Sequence, residues 1–127
     1  MSDEPEQIDR LLDIMAALRD PDNGCPWDIE QTFKTISAYT IEEAYEVADA
    51  IDRADMHDLK DELGDLLFQV VFIAFLAEER GAFDLAAVID AVEAKMIDRH
   101  PHVFAGGEAP EDAAAVRALW ERRKARR

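Results

Sequence analysis

Apolar residues recur at helical spacing along most of this chain. Over residues 4–19, Ile8, Leu11, Leu12, Met15 and Leu18 share one face behind Pro5, which predicts a first helix. Asp20-Pro21-Asp22-Asn23-Gly24 ends it as a turn. Cys25-Pro26-Trp27 follows, and Asp28 is placed to N-cap a short helical turn through Phe33. A second helix is predicted from Ile36 to Ala54, burying Ile36, Tyr39, Ala44, Val47, Ala48 and Ile51. Ala54-Asp55 reads as a tight turn. Asp55 then caps a third helix, with Asp58 in the first turn, where the helix dipole favours an acid. That helix runs to Arg80, and Gly81 supplies a left-handed stop. Asp84 caps a fourth helix over 85–99, which His100-Pro101 terminates. Residues 100–110 hold two prolines and two glycines without periodicity, and predict the loosest segment. A last helix after Pro110 carries Val116, Leu119 and Trp120. No stretch alternates as a strand would. The fold class is all-α: a single domain over 1–127, a helical bundle built on a central antiparallel hairpin.

One segment asks for more cover than so small a bundle offers. Between Leu66 and Ala77 only Gln69 is polar. The run is too short to span a membrane, and a helix apolar all round must be buried all round. A partner copy is the expected cover, giving a homo-oligomer, at minimum a dimer, that buries the face around Leu67, Val71 and Phe75. Gly64 costs about 1 kcal/mol relative to alanine inside a helix, and its missing side chain lets a backbone or ligand approach.

Charge narrows the function. There are 29 acidic and 14 basic side chains, a net charge of −15. Six of the basic ones fall in residues 117–127 (Arg117, Arg122, Arg123, Lys124, Arg126, Arg127), leaving the first 116 residues at −20. Such an acidic body argues against stable nucleic-acid binding, which rests on neutralising phosphates. No signal peptide or membrane-spanning run is expected. The single cysteine, Cys25, permits no internal disulfide and suits a reducing cytoplasm. Packing against the bundle is the expected role of Trp27.

The acids themselves are patterned. Glu42, Glu43 and Glu46 precede the turn at Ala54, and Glu62 and Asp65 follow it. Glu43 with Glu46, and Glu62 with Asp65, stand at i,i+3 and so share helix faces. In a hairpin folding at Ala54, residues whose numbers sum to 108 lie level, so Glu46 meets Glu62 and Glu43 meets Asp65. Four carboxylates then gather at two levels roughly 4.5 Å apart along the axis. They repel one another unless a cation sits among them, and oxygen donors suit Mg²⁺ or Mn²⁺ better than zinc. In so acidic a chain a solvated charged face is the competing reading. Other chemistries lack their residues: there is no GxxxxGK[ST] loop, no GxSxG, and no Glu-x-x-His pair involving His57, His100 or His102.

Taken together, Glu42-Glu43-Ala44-Tyr45-Glu46 and Glu62-Leu63-Gly64-Asp65 match an EExxE…ExxD signature. With CPWDIEQT at 25–32, ELGDLLFQVVF at 62–72 and RHPHVF at 99–104, the chain resembles the MazG-type nucleoside triphosphate pyrophosphohydrolases of the all-α pyrophosphohydrolase superfamily. The resemblance runs from Leu11 to Lys124. It implies Mg²⁺-dependent hydrolysis of a nucleoside triphosphate to the monophosphate and pyrophosphate, a house-cleaning of nucleotide pools. By position it makes Glu43, Glu46, Glu62 and Asp65 the metal ligands and Glu42 an auxiliary acid that orients water or a second ion. It assigns Lys95, Arg99, Trp120 and Lys124 to substrate binding. Asp98 stands where many relatives carry arginine, and Phe33 and Ile73 where they often carry histidine. Longer members hold two such domains and this chain resembles the first. A nucleotide-binding or dimerisation domain of weak or no activity is therefore the alternative.

Overall fold

The computed structural model describes residues 4–106 and 111–125, and the described residues form seven helices and no strand. Residues 107–110 of the expected loose segment, and Arg126 and Arg127 of the basic end, lie outside them. The chain divides into two compact units, one ending at Leu85 and the other beginning at Ala86.

In the first unit α1 spans Glu4–Leu18, α2 Pro26–Glu30, α3 Phe33–Asp52 and α4 Met56–Glu79. The α3–α4 hairpin is its backbone, and α1 packs on α4. Met15 of α1, Ile36 of α3 and Val71, Phe72 and Leu76 of α4 form the buried core, flanked by Leu11, Leu12, Phe33, Phe68, Ile73, Phe75 and Leu85. The turn is as tight as its sequence suggests. Ala54 takes a left-handed φ of 55°, and the Asp55 side chain accepts from the Asp58 amide. Arg53 reaches Asp49, Asp55 and Asp58 across it, and hydrogen bonds to Asp58 and then Asp49 raise its pKa further above the usual arginine range. At the far end of α4, Gly81 sits at φ 71°, the left-handed geometry expected there.

The connection from α1 to α3 departs from expectation. Asp28 does not cap a turn through Phe33; α2 begins three residues earlier than that cap implies, with Cys25 as its N-cap residue and Asp28 buried in its first turn. Pro26 explains the shift, since its fixed φ and missing N–H suit the first helical position. α3 begins at Phe33 rather than Ile36. Thr32 and Thr35 cap it reciprocally: the Thr35 hydroxyl accepts from the Thr32 amide at 2.8 Å and the Thr32 hydroxyl from the Thr35 amide at 3.4 Å.

The buried face of α3 is also rotated from the expected one. Ile36 and Ala50 are buried and Thr40, Glu43 and Val47 half-buried, a stripe at i, i+4, i+7, i+11 and i+14. Tyr39, Ala44, Ala48 and Ile51, expected inside, are exposed. The seam against α4 therefore runs through polar residues. Thr40 Oγ1 lies 3.4 Å from Gln69 Oε1, close to the pairing that a fold at Ala54 requires. On α4, Val71 is buried within the chain and Phe75 half-buried, while Leu63, Leu67 and Val70 face outward. Of the face expected to meet a second copy, Val71 is taken into the core with Met15 of α1, while Leu67 stays exposed beside Leu63 and Val70. A side chain at Gly64 would meet nothing within 4 Å, so no close approach within this chain demands glycine there.

The second unit carries most of α5, Leu85–Arg99, with α6, Pro101–Phe104, and α7, Ala113–Ala125. α6 was not foreseen in the proline- and glycine-containing stretch, where Pro101 again opens a helix at a first-turn position. The Asp112 side chain accepts from the Ala115 amide at the start of α7. No helix among the described residues is long and apolar enough to cross a membrane.

Candidate active site

The hairpin brings carboxylates together at its middle. One oxygen each from Glu43, Glu62 and Asp65 lie within 4.8 Å of one another, a donor set sized for a single cation. Glu43 comes from the buried stripe of α3, Glu62 from the seam face of α4, and Asp65 one turn further along the same helix. Glu43 and Asp65 come together as expected, but Glu43 also hydrogen-bonds with Glu62, which the expected register pairs with Glu46. Glu46 is exposed and stands outside this trio, though near enough for its charge to act on both Glu43 and Glu62.

Electrostatics mark the cluster as unfinished. Burial raises the Glu43 pKa above the ordinary carboxylate range, and the charges of Asp65, Glu42 and Glu46 raise it further; hydrogen bonding with Glu62 partly offsets the rise. Its Oε2 is nevertheless buried without a hydrogen-bond partner. Glu62 is raised as well, by desolvation first and then by Asp58, Glu43, Asp65 and Glu46. A buried carboxylate oxygen that faces other carboxylates and lacks a donor is costly unless something positive completes it. Hard oxygen donors fit Mg²⁺ or Mn²⁺.

Glu42, also predicted, is exposed on α3 beside Glu43, and the predicted substrate-binding residues belong to the second unit. Lys95 and Arg99 are half-buried at i,i+4 on α5, and Arg99 Nε is buried without a partner. Trp120, 38% exposed on α7, meets the His100 ring edge-to-face at 5.1 Å, while Lys124 is exposed. His102 Nδ1 is likewise buried and unpartnered. Two features of the first unit escaped the sequence reading: the polar seam pair Thr40–Gln69, and an exposed ring pair, Trp27 with Tyr39. The signal for the first was Gln69, the lone polar residue in an apolar run. For the second it was the placement of Tyr39 three and four residues before Glu42 and Glu43.

Fold and site together describe an all-helical protein that gathers carboxylates across the seam of an antiparallel helix pair. Residues 31–104 match the family model of the MazG nucleotide pyrophosphohydrolase domain, and the chain belongs to that family. It is 60% identical over 118 residues to a nucleoside triphosphate pyrophosphohydrolase of Escherichia coli, covering 93% of this chain and 44% of that protein. It is 49% identical over 103 residues to a nucleoside triphosphate pyrophosphohydrolase/pyrophosphatase MazG of Thermotoga maritima, covering 81% of this chain and 39% of that one. The crystal structure of a mazG-related protein from Thermotoga maritima superposes with a TM-score of 0.70 at 30% identity, over 92% of this chain and 98% of that one. The chain spans less than half the length of these two curated relatives.

Proposed function

We propose that this chain hydrolyses nucleoside triphosphates to the monophosphate and pyrophosphate, with Mg²⁺ as cofactor and Mn²⁺ as a substitute. The trio Glu43, Glu62 and Asp65, with its unpartnered buried oxygen, carries the proposal, and the family supplies the reaction class. A triphosphate carries about four negative charges at neutral pH and is repelled by bare carboxylates, so the cation must be in place before the substrate. Glu43, Glu62 and Asp65 would hold it, with Glu46 completing the set by rotation of an exposed side chain. When bound, Mg²⁺ supplies polarisation of the phosphate oxygens and a lowered pKa for the attacking water. Glu42, next to the trio, orients that water. By family position, nucleotide binding is assigned to Lys95, Arg99, Trp120 and Lys124. Copies of the chain pair through the outward apolar face, and the biological role is removal of unwanted nucleotides from the pool.

The short coverage of the relatives favours one second reading, a nucleotide-binding or dimerisation domain of weak activity. Incubation of the purified chain with each triphosphate and Mg²⁺, followed by phosphorus NMR, separates the two. Monophosphate and pyrophosphate in equal amounts are expected. Diphosphate with inorganic phosphate would refute the proposed bond cleavage, and binding without turnover would support the second reading. Arg99→Ala should lower kcat/KM by about ten- to a hundredfold, since a charge-assisted contact is worth about 1.5–3 kcal/mol.

A further inference from the structure

A pair of exposed aromatic rings near the carboxylates takes no part in the buried core. Trp27 of α2 and Tyr39 of α3 meet edge-to-face, ring centroids 5.3 Å apart and planes at 78°, yet they remain 46% and 39% exposed. Tyr39 precedes Glu42, Glu43 and Glu46 by three, four and seven residues, so all four lie along one side of α3. The ring pair therefore stands one helical turn, about 6 Å along the axis, from the carboxylate trio. On the opposite flank of the same seam lie Ala44, Ala48 and Ile51 with Leu63, Leu67 and Val70, so the rings do not belong to the outward apolar face.

Trp27 is held with unusual thoroughness for a residue on a five-residue helix, a length that has no stability of its own. Arg19 Nη1 donates to the carbonyls of Asp28, Ile29 and Gln31 at 2.7, 3.0 and 3.1 Å. Its guanidinium also pairs with Glu79 near the end of α4, and Nε reaches Glu79 Oε2 at 3.2 Å. The buried Gln31 amide donates to the Trp27 carbonyl at 2.8 Å. A cation, a buried amide and a helix end thus fix a short segment whose largest side chain is left half in solvent. Core packing does not need such an arrangement, whereas a preorganised stacking surface does.

We propose that Trp27, with Tyr39 holding its edge, is a nucleobase platform: the base of the substrate stacks on Trp27 while the triphosphate reaches the Glu43–Glu62–Asp65 site. The inference rests on the pyrophosphohydrolase reading and deepens it. Arg19 and Gln31 are positioning residues that act through the backbone of α2. Every base has a π-face, so the platform favours nucleotides over base-free triphosphates without choosing strongly among bases.

The test compares nucleoside triphosphates with ribose 5-triphosphate, which lacks the base, on the full chain with Mg²⁺. Trp27→Ala should lower kcat/KM for all nucleoside triphosphates by about ten- to a hundredfold, with ribose 5-triphosphate turnover kept within about twofold and Trp27→Phe restoring most of the loss. Equal losses on both substrates, or no loss on either, would overturn the proposal. Should Trp27→Ala fail to fold, the difference in emission between the parent chain and Trp27→Phe isolates the contribution of Trp27. That emission should then be quenched by a non-hydrolysable α,β-methylene nucleotide and not by ribose 5-triphosphate. Unchanged emission at a nucleotide concentration that calorimetry shows to be saturating overturns the platform alone. If the parent chain neither binds nor cleaves any nucleotide, the pyrophosphohydrolase reading fails and the platform falls with it.

Discussion

Glu43 is the residue on which the site turns, because it belongs to two patterns at once. It is part of the stripe that packs α3 on α4, and it is one of three carboxylates whose oxygens converge. Its pKa and that of Glu62 are raised in the folded chain, chiefly by desolvation. The sign of the consequence is fixed. A carboxyl whose folded pKa exceeds its unfolded value stabilises the fold fully below the unfolded pKa, and that contribution is lost as pH rises through the folded one. Metal-free protein should therefore lose stability upward from about pH 4, beyond any loss from general charge repulsion. Glu43→Gln should flatten this profile and leave the metal-free protein at pH 7 as stable as the parent or more so. With metal the order reverses, since binding only the native state adds about 2.7 kcal/mol at a hundredfold excess over Kd. Thermal melts of both proteins from pH 4 to 8, with EDTA and with Mg²⁺, check this; parallel profiles would mean that the trio does not titrate as described.

Among the elements, the hairpin was legible and its rotation was not. Ala54-Asp55 and Gly81 are local signals that the structure keeps, whereas of the two acidic i,i+3 pairs only Glu62 with Asp65 enters the trio whole. The face of α3 runs against its own hydrophobicity: Tyr39, Ala44, Ala48 and Ile51 are exposed, and the buried stripe passes through Thr40 and Glu43. A helix with a polar seam and apolar flanks inverts the rule that apolar residues point inward, and a functional site with a partner surface beside it produces such a helix. Equally illegible were α6, where Pro101 opens a helix rather than preventing one, and the Thr32–Thr35 cap, which lacks the usual glutamate. Lys95, Arg99, Trp120 and Lys124 were reached through family resemblance alone, since i,i+4 basic pairs also occur on ordinary solvated helices. Gly64 gives α4 a test of its own. If its open side stays open, Gly64→Ala should stabilise the protein by about 1 kcal/mol and raise Tm by a few degrees. If a second copy packs there, the same change should lower Tm and weaken association, which calorimetry and sedimentation together would show.

At the scale of the molecule, the first unit separates two surfaces on one helix pair. Tyr39, paired with Trp27, lies to one side of the seam that holds Glu43 and Glu62; Leu63, Leu67 and Val70 with Ala44, Ala48 and Ile51 lie to the other. If copies of the chain associate through that apolar flank, as proposed, like-charge repulsion at −15 makes the association dependent on salt. Sedimentation equilibrium at micromolar concentration should show at least a dimer that tightens as salt rises; a 14.3 kDa monomer throughout would remove the interface. The central claim is narrower: Glu43, Glu62 and Asp65 hold a divalent cation. Titration of metal-free protein with Mn²⁺, followed by electron paramagnetic resonance of the free ion, tests it most directly. Saturable binding that Mg²⁺ displaces is expected. Glu43→Gln and Asp65→Asn should weaken it roughly tenfold or more, while the exposed α1 control Asp9→Asn leaves it unchanged. Equal Mn²⁺ affinity in all four proteins would contradict the account, for the carboxylates would then be only a charged face.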